Sequence, residues 1–130
     1  MLLNHLSFPS NDVAASVAFF ERQLGCRSEP FGTSAILKRD GFDIVIEDAG
    51  AREIVWPHNF HLGFELPSLD ALRALYHRFL EQGVRMKSEV ISHARGSRFF
   101  CEAPGGLLFE INTRADAQEP YRRGFANAVK

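Results

Sequence analysis

The chain has 130 residues, 45% of them hydrophobic and 24% charged, and its formal net charge is −1. This composition is typical of one globular domain, and the balanced charge excludes the basic surface needed to bind nucleic acid or an anionic membrane. The N-terminal residues lack a signal-peptide pattern, and no segment approaches the ~20 apolar residues that span a bilayer. Cys26 and Cys101 are too far apart for a C-x-x-C motif, so we expect reduced thiols in a cytoplasmic protein.

The first half of the chain predicts one strand, one helix and three further strands. Residues 2–8 alternate as a strand does, and Asn11-Asp12 then offers an N-cap. Apolar residues recur at helical spacing from Val13 to Leu24, and Gly25 provides a stop. Short strands are predicted at 26–29, 34–39 and 42–47, with a hairpin at Asp40-Gly41.

The second half repeats this order of elements. Residues 48–59 read as a linker, followed by a strand at 60–66 and a helix that starts at Pro67-Ser68 and ends at Gly83. Further strands are predicted at 86–91, 98–101 and 107–112. The fold class is therefore α+β, with two βαβββ modules forming a curved mixed sheet trough. One domain of 130 residues would contain modules at about 1–48 and 59–113 and a polar C-terminal tail, 114–130, with aromatic residues Tyr121 and Phe125.

One histidine and one glutamate recur in each half. His5 and His61 lie near the start of a strand that precedes a helix, and Glu47 and Glu110 follow an apolar triplet on a late strand. Strand alternation places all four on the face opposite the apolar one, which must cover the helices. Two histidines and two glutamates with open coordination positions suit a divalent ion such as Ni²⁺, Co²⁺, Zn²⁺, Mn²⁺ or Fe²⁺. The sequence therefore predicts one metal site in the trough.

Three further residues are candidates for substrate binding. Arg98 and Phe100 alternate onto the same face as Glu110, so Arg98 could hold an anion or carboxylate. Trp56, near the linker, could line the pocket, although aromatic packing explains it equally well.

Several motifs, taken in order, resemble those of the vicinal oxygen chelate superfamily, which contains glyoxalase I, bleomycin resistance proteins and extradiol dioxygenases. They are Asn4-His5-Leu6, Phe19-Phe20-Glu21 with Leu24-Gly25, Phe60-His61-Leu62-Gly63-Phe64, and Pro104-Gly105-Gly106 followed by Leu107-Leu108-Phe109-Glu110. The resemblance spans about residues 3–113. The family's turn commonly has aspartate where this chain has Ala103.

The resemblance implies a metal-dependent enzyme of glyoxalase type, similar to lactoylglutathione lyase, acting on a small oxygenated substrate that chelates the metal through two oxygens. It implies His5, Glu47, His61 and Glu110 as ligands of one divalent ion, with Glu47 or Glu110 as the catalytic base. Family members often pair modules between chains, so we expect a homodimer.

Two alternatives stay open at this point. One is a metal-free protein that sequesters an aromatic or antibiotic ligand, as bleomycin resistance proteins do. The other is a 2-His-1-carboxylate iron dioxygenase that uses His5, His61 and Glu110. One fold and one ligand set serve many chemistries, so the four residues do not identify the metal, the substrate or the reaction.

Overall fold

The computed structural model describes residues 1–124, which form two compact units. The first unit contains Met1–Pro57 and the turn Ala103–Gly106, and the second contains His58–Glu102 and residues 107–124. Each unit has one mixed sheet and one α-helix, which confirms the α+β class and the βαβββ order.

In the first unit, a four-stranded sheet packs against one helix. Its elements are β1 (His5–Ser10), α1 (Val13–Leu24), β2 (Arg27–Phe31), β3 (Ser34–Lys38) and β4 (Asp43–Asp48). The strand order is β1-β4-β3-β2, with β1 parallel to β4 and the other pairs antiparallel. Asp12 caps α1 by accepting a hydrogen bond from the Ala15 N–H, and Gly25 ends the helix with a φ of 64°. The helix therefore has the predicted bounds.

In the second unit, a five-stranded sheet packs against one helix. Its elements are β5 (His61–Glu65), α2 (Leu69–Glu81), β6 (Arg85–Met86), β7 (Ile91–His93), β8 (Gly96–Glu102), β9 (Leu108–Thr113) and a short 3₁₀ helix, Tyr121–Arg123. The strand order is β5-β9-β8-β6, and β7 also pairs with β8. β5 runs parallel to β9, while β6, β7 and β9 are antiparallel to β8. Ser68 caps α2 as predicted.

The strand predicted at 86–91 is instead two short strands, β6 and β7. The backbone N–H groups of Lys87 and Ser88 both donate to the Phe100 carbonyl, at 2.8 and 3.2 Å. The Ser88 hydroxyl accepts a hydrogen bond from the Phe100 N–H at 2.9 Å. A side chain thus takes the place of a backbone acceptor, which interrupts the ladder.

Strand alternation separates an apolar face from a polar face in each sheet. α1 packs on β3 and β4, and α2 packs on β8 and β9. The apolar side chains of these faces are buried, namely Phe20, Leu37, Ile44 and Ile46 in the first unit and Leu72, Phe79, Phe99, Phe109 and Ile111 in the second. The apolar faces thus cover the helices, as the sequence predicts.

Part of the predicted polar tail is bound to the second unit. Asp116 accepts hydrogen bonds from the N–H and the hydroxyl of Ser97, at 3.1 and 2.5 Å. The Gln118 N–H donates to the Ala94 carbonyl at 2.8 Å. Phe125 lies outside the described residues.

Gly96 begins β8 in a place where no other residue fits. A Cβ on Gly96 would lie 2.2 Å from the Thr113 carbonyl oxygen, and its φ is 96°. Gly41 has the same φ with nothing within 4 Å of its Cβ position, so it is a matched control. We predict that Gly41→Ala lowers the free energy of unfolding by about 1–2 kcal/mol through backbone strain alone. Gly96→Ala should lower it by clearly more, because β8 and β9 must also separate. Equal losses in urea unfolding would contradict this reading.

Cys101 makes stability depend on pH in the alkaline range. Burial on β8 raises the pKa of Cys101 from 9.0 to about 12. The unfolded chain therefore loses this proton first, so stability is fully present below pH 9 and is lost as the pH rises from 9 towards 12. We predict that unfolding free energy falls about 1.4 kcal/mol per pH unit more steeply in the native chain than in Cys101→Ala between pH 9.5 and 10.5. Parallel slopes in urea titrations would refute the prediction.

Candidate functional site

His61, at the start of β5, has a fixed ring orientation. Its Nδ1 lies 2.7 Å from the Asn59 carbonyl oxygen, which can only accept, so Nδ1 carries the proton. Asn59 has a φ of 58°, a left-handed conformation that asparagine tolerates. The ring also packs edge-on against Phe100, with centroids 5.7 Å apart. In the neutral ring, Nε2 is therefore a lone-pair donor pointing away from Asn59.

Glu110, on β9, faces that nitrogen. Its Oε2 lies 3.3 Å from His61 Nε2, and its side chain is only 10% exposed. A carboxylate oxygen and a neutral imidazole nitrogen are both acceptors, so a proton or a cation must lie between them for the approach to be favourable. Two ligands at about 2.1 Å from one metal, at angles of 90–109°, are roughly 3.0–3.4 Å apart. The 3.3 Å separation of His61 Nε2 and Glu110 Oε2 is therefore compatible with two ligands of one divalent ion.

The second oxygen of Glu110 is held by two other side chains. Asn112 Nδ2 donates to Oε1 at 3.0 Å, and Arg98 Nη1 lies 3.7 Å from the same atom. The two carboxylate oxygens thus have separate environments, one towards His61 and one towards Asn112 and Arg98. This arrangement fixes the carboxylate plane and directs Oε2 towards His61.

Two buried polar atoms beside Glu110 have no hydrogen-bond partner within residues 1–124. They are Arg98 Nε, a donor, and Asn112 Oδ1, an acceptor. Leaving a buried polar atom unsatisfied costs about 1–3 kcal/mol, so such atoms in a folded protein need an explanation. Both lie next to the proposed metal-ligand pair, which indicates a binding site.

A cavity of about 310 Å³ opens over these residues, lined by His61, Gly63, Glu65, Glu110 and Asn112. This volume is in the range of small-molecule sites.

Glu65, one of the residues that line the cavity, forms a bidentate ion pair with Arg114, whose Nε donates to Glu65 Oε1 at 3.0 Å. The hydrogen bonds to Glu65 raise the pKa of Arg114 above its usual range. The charge of Glu65 is therefore matched, and Glu110 is the carboxylate that faces His61.

His5 and Glu47 occupy different positions from their counterparts in the second unit. On the parallel strands, His5 lies opposite Asp43, while Glu47 lies opposite Pro9, four residues further along. In the second unit, Glu110 lies opposite Gly63, only two residues from His61. At about 3.3 Å per residue, these offsets correspond to roughly 13 and 7 Å along the strands. The two His–Glu pairs are therefore not equivalent in register.

The side chains of His5 and Glu47 also have separate partners. His5 Nδ1 lies 2.7 Å from Asn4 Oδ1, and Glu47 accepts a hydrogen bond from the Ser7 hydroxyl at 2.7 Å. Relative to its glutamate, Ser7 takes the place that His61 has in the second unit. Both residues lie on the polar face, as predicted, and their roles as metal ligands stay predictions.

Asp43, opposite His5, is already paired. The Lys38 ammonium forms an ion pair with its carboxylate, and this hydrogen bond is the main cause of a pKa below the usual value for Asp43.

Trp56 lies in the first unit, in contacts typical of packing. Its Nε1–H donates to the Gly105 carbonyl at 3.0 Å, and its ring is edge-on to Phe8 with centroids 6.2 Å apart. A role in substrate binding stays a prediction for Trp56.

No group of three or more His, Cys, Asp or Glu side chains among residues 1–124 is arranged to hold a metal. The second unit brings together His61, Glu110, Arg98 and Phe100, all singled out from the sequence. Sequence reasoning missed Asn112, although alternation with Glu110 along β9 already placed it on the same face. Within the described chain, neither α-helix has the length and apolar composition needed to cross a bilayer.

Residues 2–111 match the Glyoxalase/Bleomycin resistance protein/Dioxygenase superfamily. The match covers most of the chain, so the protein belongs to this superfamily, and the resemblance read from the motifs is confirmed. Members of the superfamily act on small molecules and commonly bind a divalent metal. No curated protein matches the chain in sequence.

Solved structures with the same fold include enzymes and resistance proteins. A possible glyoxalase from Bacillus cereus is 26% identical, with a TM-score of 0.73 and coverage of 86% of this chain and 98% of that one. The fosfomycin resistance protein FosX from Listeria monocytogenes is 18% identical, with a TM-score of 0.72 and coverage of 87% and 93%. Lactoylglutathione lyase from Agrobacterium tumefaciens is 12% identical, with a TM-score of 0.67 and coverage of 85% and 92%. The last two similarities establish the fold alone.

Proposed function

We propose that this protein is a metal-dependent enzyme of glyoxalase type that isomerises or cleaves a small oxygenated substrate. The observation that supports it most directly is the approach of His61 Nε2 to Glu110 Oε2 at 3.3 Å, with the proton of His61 committed to Asn59 through Nδ1. A proton or a cation between these two atoms would make the approach favourable, and we propose that a divalent cation binds there. His61 and Glu110 are the proposed metal ligands in the second unit, and His5 and Glu47 are proposed to complete the set.

Each site residue of the second unit has a defined task in this proposal. A bound divalent ion would supply Lewis-acid chemistry, polarising a substrate oxygen and acidifying the neighbouring carbon. The Asn59 carbonyl orients His61, so that Nε2 binds with its lone pair. Arg98 and Asn112 hold Oε1 of Glu110 and so keep its carboxylate in one plane. Phe100 supports the imidazole edge-on and limits its rotation.

Glu110 is also the proposed general base, with Glu47 as the alternative. Oε2 of Glu110 is the oxygen without the Arg98 and Asn112 contacts, so once released from the ion it could accept a proton from one substrate carbon and return it to the next. Such a transfer contributes typically 10²–10⁴-fold to the rate. Arg98, Phe100 and Trp56 are the proposed substrate-binding residues.

Metal content tests this proposal. We predict about one divalent ion per chain in purified protein by inductively coupled plasma mass spectrometry. His61→Ala and Glu110→Gln should lose that ion, because the first removes a ligand and the second replaces a charged carboxylate with a weaker, neutral amide. His77→Ala is the matched control, since His77 is an exposed histidine of α2 in the same unit. His5→Ala and Glu47→Gln then test the ligands proposed from the first unit.

Unchanged metal content in both His61→Ala and Glu110→Gln would refute the metal pair. Failure of the native chain to take up Ni²⁺, Co²⁺, Zn²⁺, Mn²⁺ or Fe²⁺ after reloading would refute it too, and a metal-free binding protein would become the better explanation. Oxygen uptake with catechols in the presence of Fe²⁺ would favour the dioxygenase instead.

We further propose that the protein acts as a homodimer in the cytoplasm. Edge strands support pairing, because β1 and β5 each lie at the edge of their own sheet and edge backbone groups are available to a second copy. Two free cysteines support a reducing compartment. We predict a dimer mass in light scattering and recovery in the cytoplasmic fraction; a monomer mass or a secreted protein would contradict the respective proposal.

A further inference from the structure

Two unpartnered atoms at the site form one complementary pair. Arg98 lies directly opposite Asn112 on the antiparallel strands β8 and β9, so their side chains rise side by side from the sheet. Arg98 offers an N–H at Nε, and Asn112 offers a carbonyl oxygen at Oδ1. A donor and an acceptor on cross-strand neighbours match a ligand group that has one acceptor and one donor.

The orientation of the Asn112 amide is determined by its neighbour. Nδ2 donates to Glu110 Oε1 at 3.0 Å, and the reverse orientation would place Oδ1 against a carboxylate oxygen. Asn112 is 8% exposed and lines the cavity. Its Oδ1 is therefore a buried acceptor on a residue that lines the cavity, and only a donor can satisfy it.

Charge at this position disfavours an anion. The guanidinium of Arg98 lies 3.7 Å from Glu110 Oε1, so its positive charge is already partly balanced by a carboxylate. A substrate carboxylate would place acceptor oxygens against Asn112 Oδ1 and would add a second negative charge beside Glu110. A neutral group with an N–H has neither disadvantage.

Gly63 gives a ligand access to Asn112. It faces Glu110 across the β5–β9 pair, and a Cβ there would lie 3.6 Å from Asn112 Nδ2, in ordinary contact. The missing side chain therefore leaves space beside the amide, and an alanine would occupy that space without disturbing the fold.

We propose that Arg98 and Asn112 bind a carboxamide-type group of the substrate, with its carbonyl on Arg98 Nε and its N–H on Asn112 Oδ1. The substrate would then be a small oxygenated molecule that contains an amide or lactam, and Asn112 would be its specificity-determining residue. This inference rests on the proposed function for the nearby metal, while the amide contact itself requires only the second unit.

The test uses three probes that share a ring and differ in one group. Benzamide has an acceptor and a donor, benzoate has acceptors and a charge, and methyl benzoate has acceptors alone. Titrations of the full chain, followed by the NMR signals of the Asn112 side-chain amide and the Arg98 Nε–H, give each dissociation constant. We expect benzamide to bind at least fivefold more tightly than either other probe. Benzoate or methyl benzoate binding as tightly as benzamide would overturn the proposal.

Two variants separate the amide contact from general cavity binding. Asn112→Leu keeps the approximate shape of the side chain and removes both polar atoms. It should raise the dissociation constant of benzamide at least fivefold and change that of methyl benzoate by less than twofold. Gly63→Ala changes no polar side chain, but it fills the space beside the amide and should raise the dissociation constant of benzamide severalfold. Gln118→Leu, which removes an exposed side-chain amide of the same unit, is the control and should bind as the native chain does. Native benzamide affinity in Asn112→Leu would refute the role of Asn112.

Titrations with and without one equivalent of Zn²⁺ distinguish this proposal from the proposed function. A benzamide preference in protein that binds no metal would support the amide site and refute the metal pair. Metal binding without a benzamide preference would refute the amide site alone.

Discussion

The pairing of β8 with β9 is the constraint on which the site depends. Its register sets Arg98 opposite Asn112 and Phe100 opposite Glu110, while the parallel pairing of β9 with β5 sets Glu110 opposite Gly63. A shift of one residue would turn all these side chains to the helix-facing side, where Phe99, Phe109 and Ile111 are buried. Gly96 protects this register, because the start of β8 passes too close to the Thr113 carbonyl for any side chain. Core packing and site geometry are therefore two consequences of one strand pairing.

A buried carboxylate needs partners that replace its lost hydration, and the two oxygens of Glu110 have different partners. Arg98 and Asn112 both approach Oε1, whereas Oε2 faces His61. Removing a carboxylate from water carries a large penalty unless charge and hydrogen bonds replace the lost hydration. The asymmetry leaves one oxygen satisfied by the protein and one directed at an imidazole nitrogen that lacks a proton in its neutral form. This division would leave Oε2 for both proposed roles of Glu110, as a metal ligand and, once released from the ion, as a base.

Much of the fold could be read from the sequence, because it depends on local signals. Asp12 and Ser68 mark the helix starts, Gly25 marks the end of α1, and period-two alternation identifies the faces of the strands. Alternation alone also placed His61, Arg98, Phe100 and Glu110 on one face, and they do meet in the second unit. The break between β6 and β7 was not predictable from pattern, because it depends on the Ser88 hydroxyl replacing a backbone acceptor of Phe100.

Register was the other property that the sequence did not reveal, and it changes the interpretation of the repeat. His5 and His61 each lie seven residues before their helix caps, Asp12 and Ser68, which makes them appear equivalent. The sheets show otherwise. Glu47 lies opposite Pro9 and accepts a hydrogen bond from Ser7, whereas Glu110 lies opposite Gly63 and faces His61. The position in β4 that corresponds to Glu110 in this register, opposite Ser7, is Val45. The two units thus share an architecture but differ in polar groups, and in the second unit the buried atoms Arg98 Nε and Asn112 Oδ1 lie beside Glu110 without a hydrogen-bond partner among the described residues.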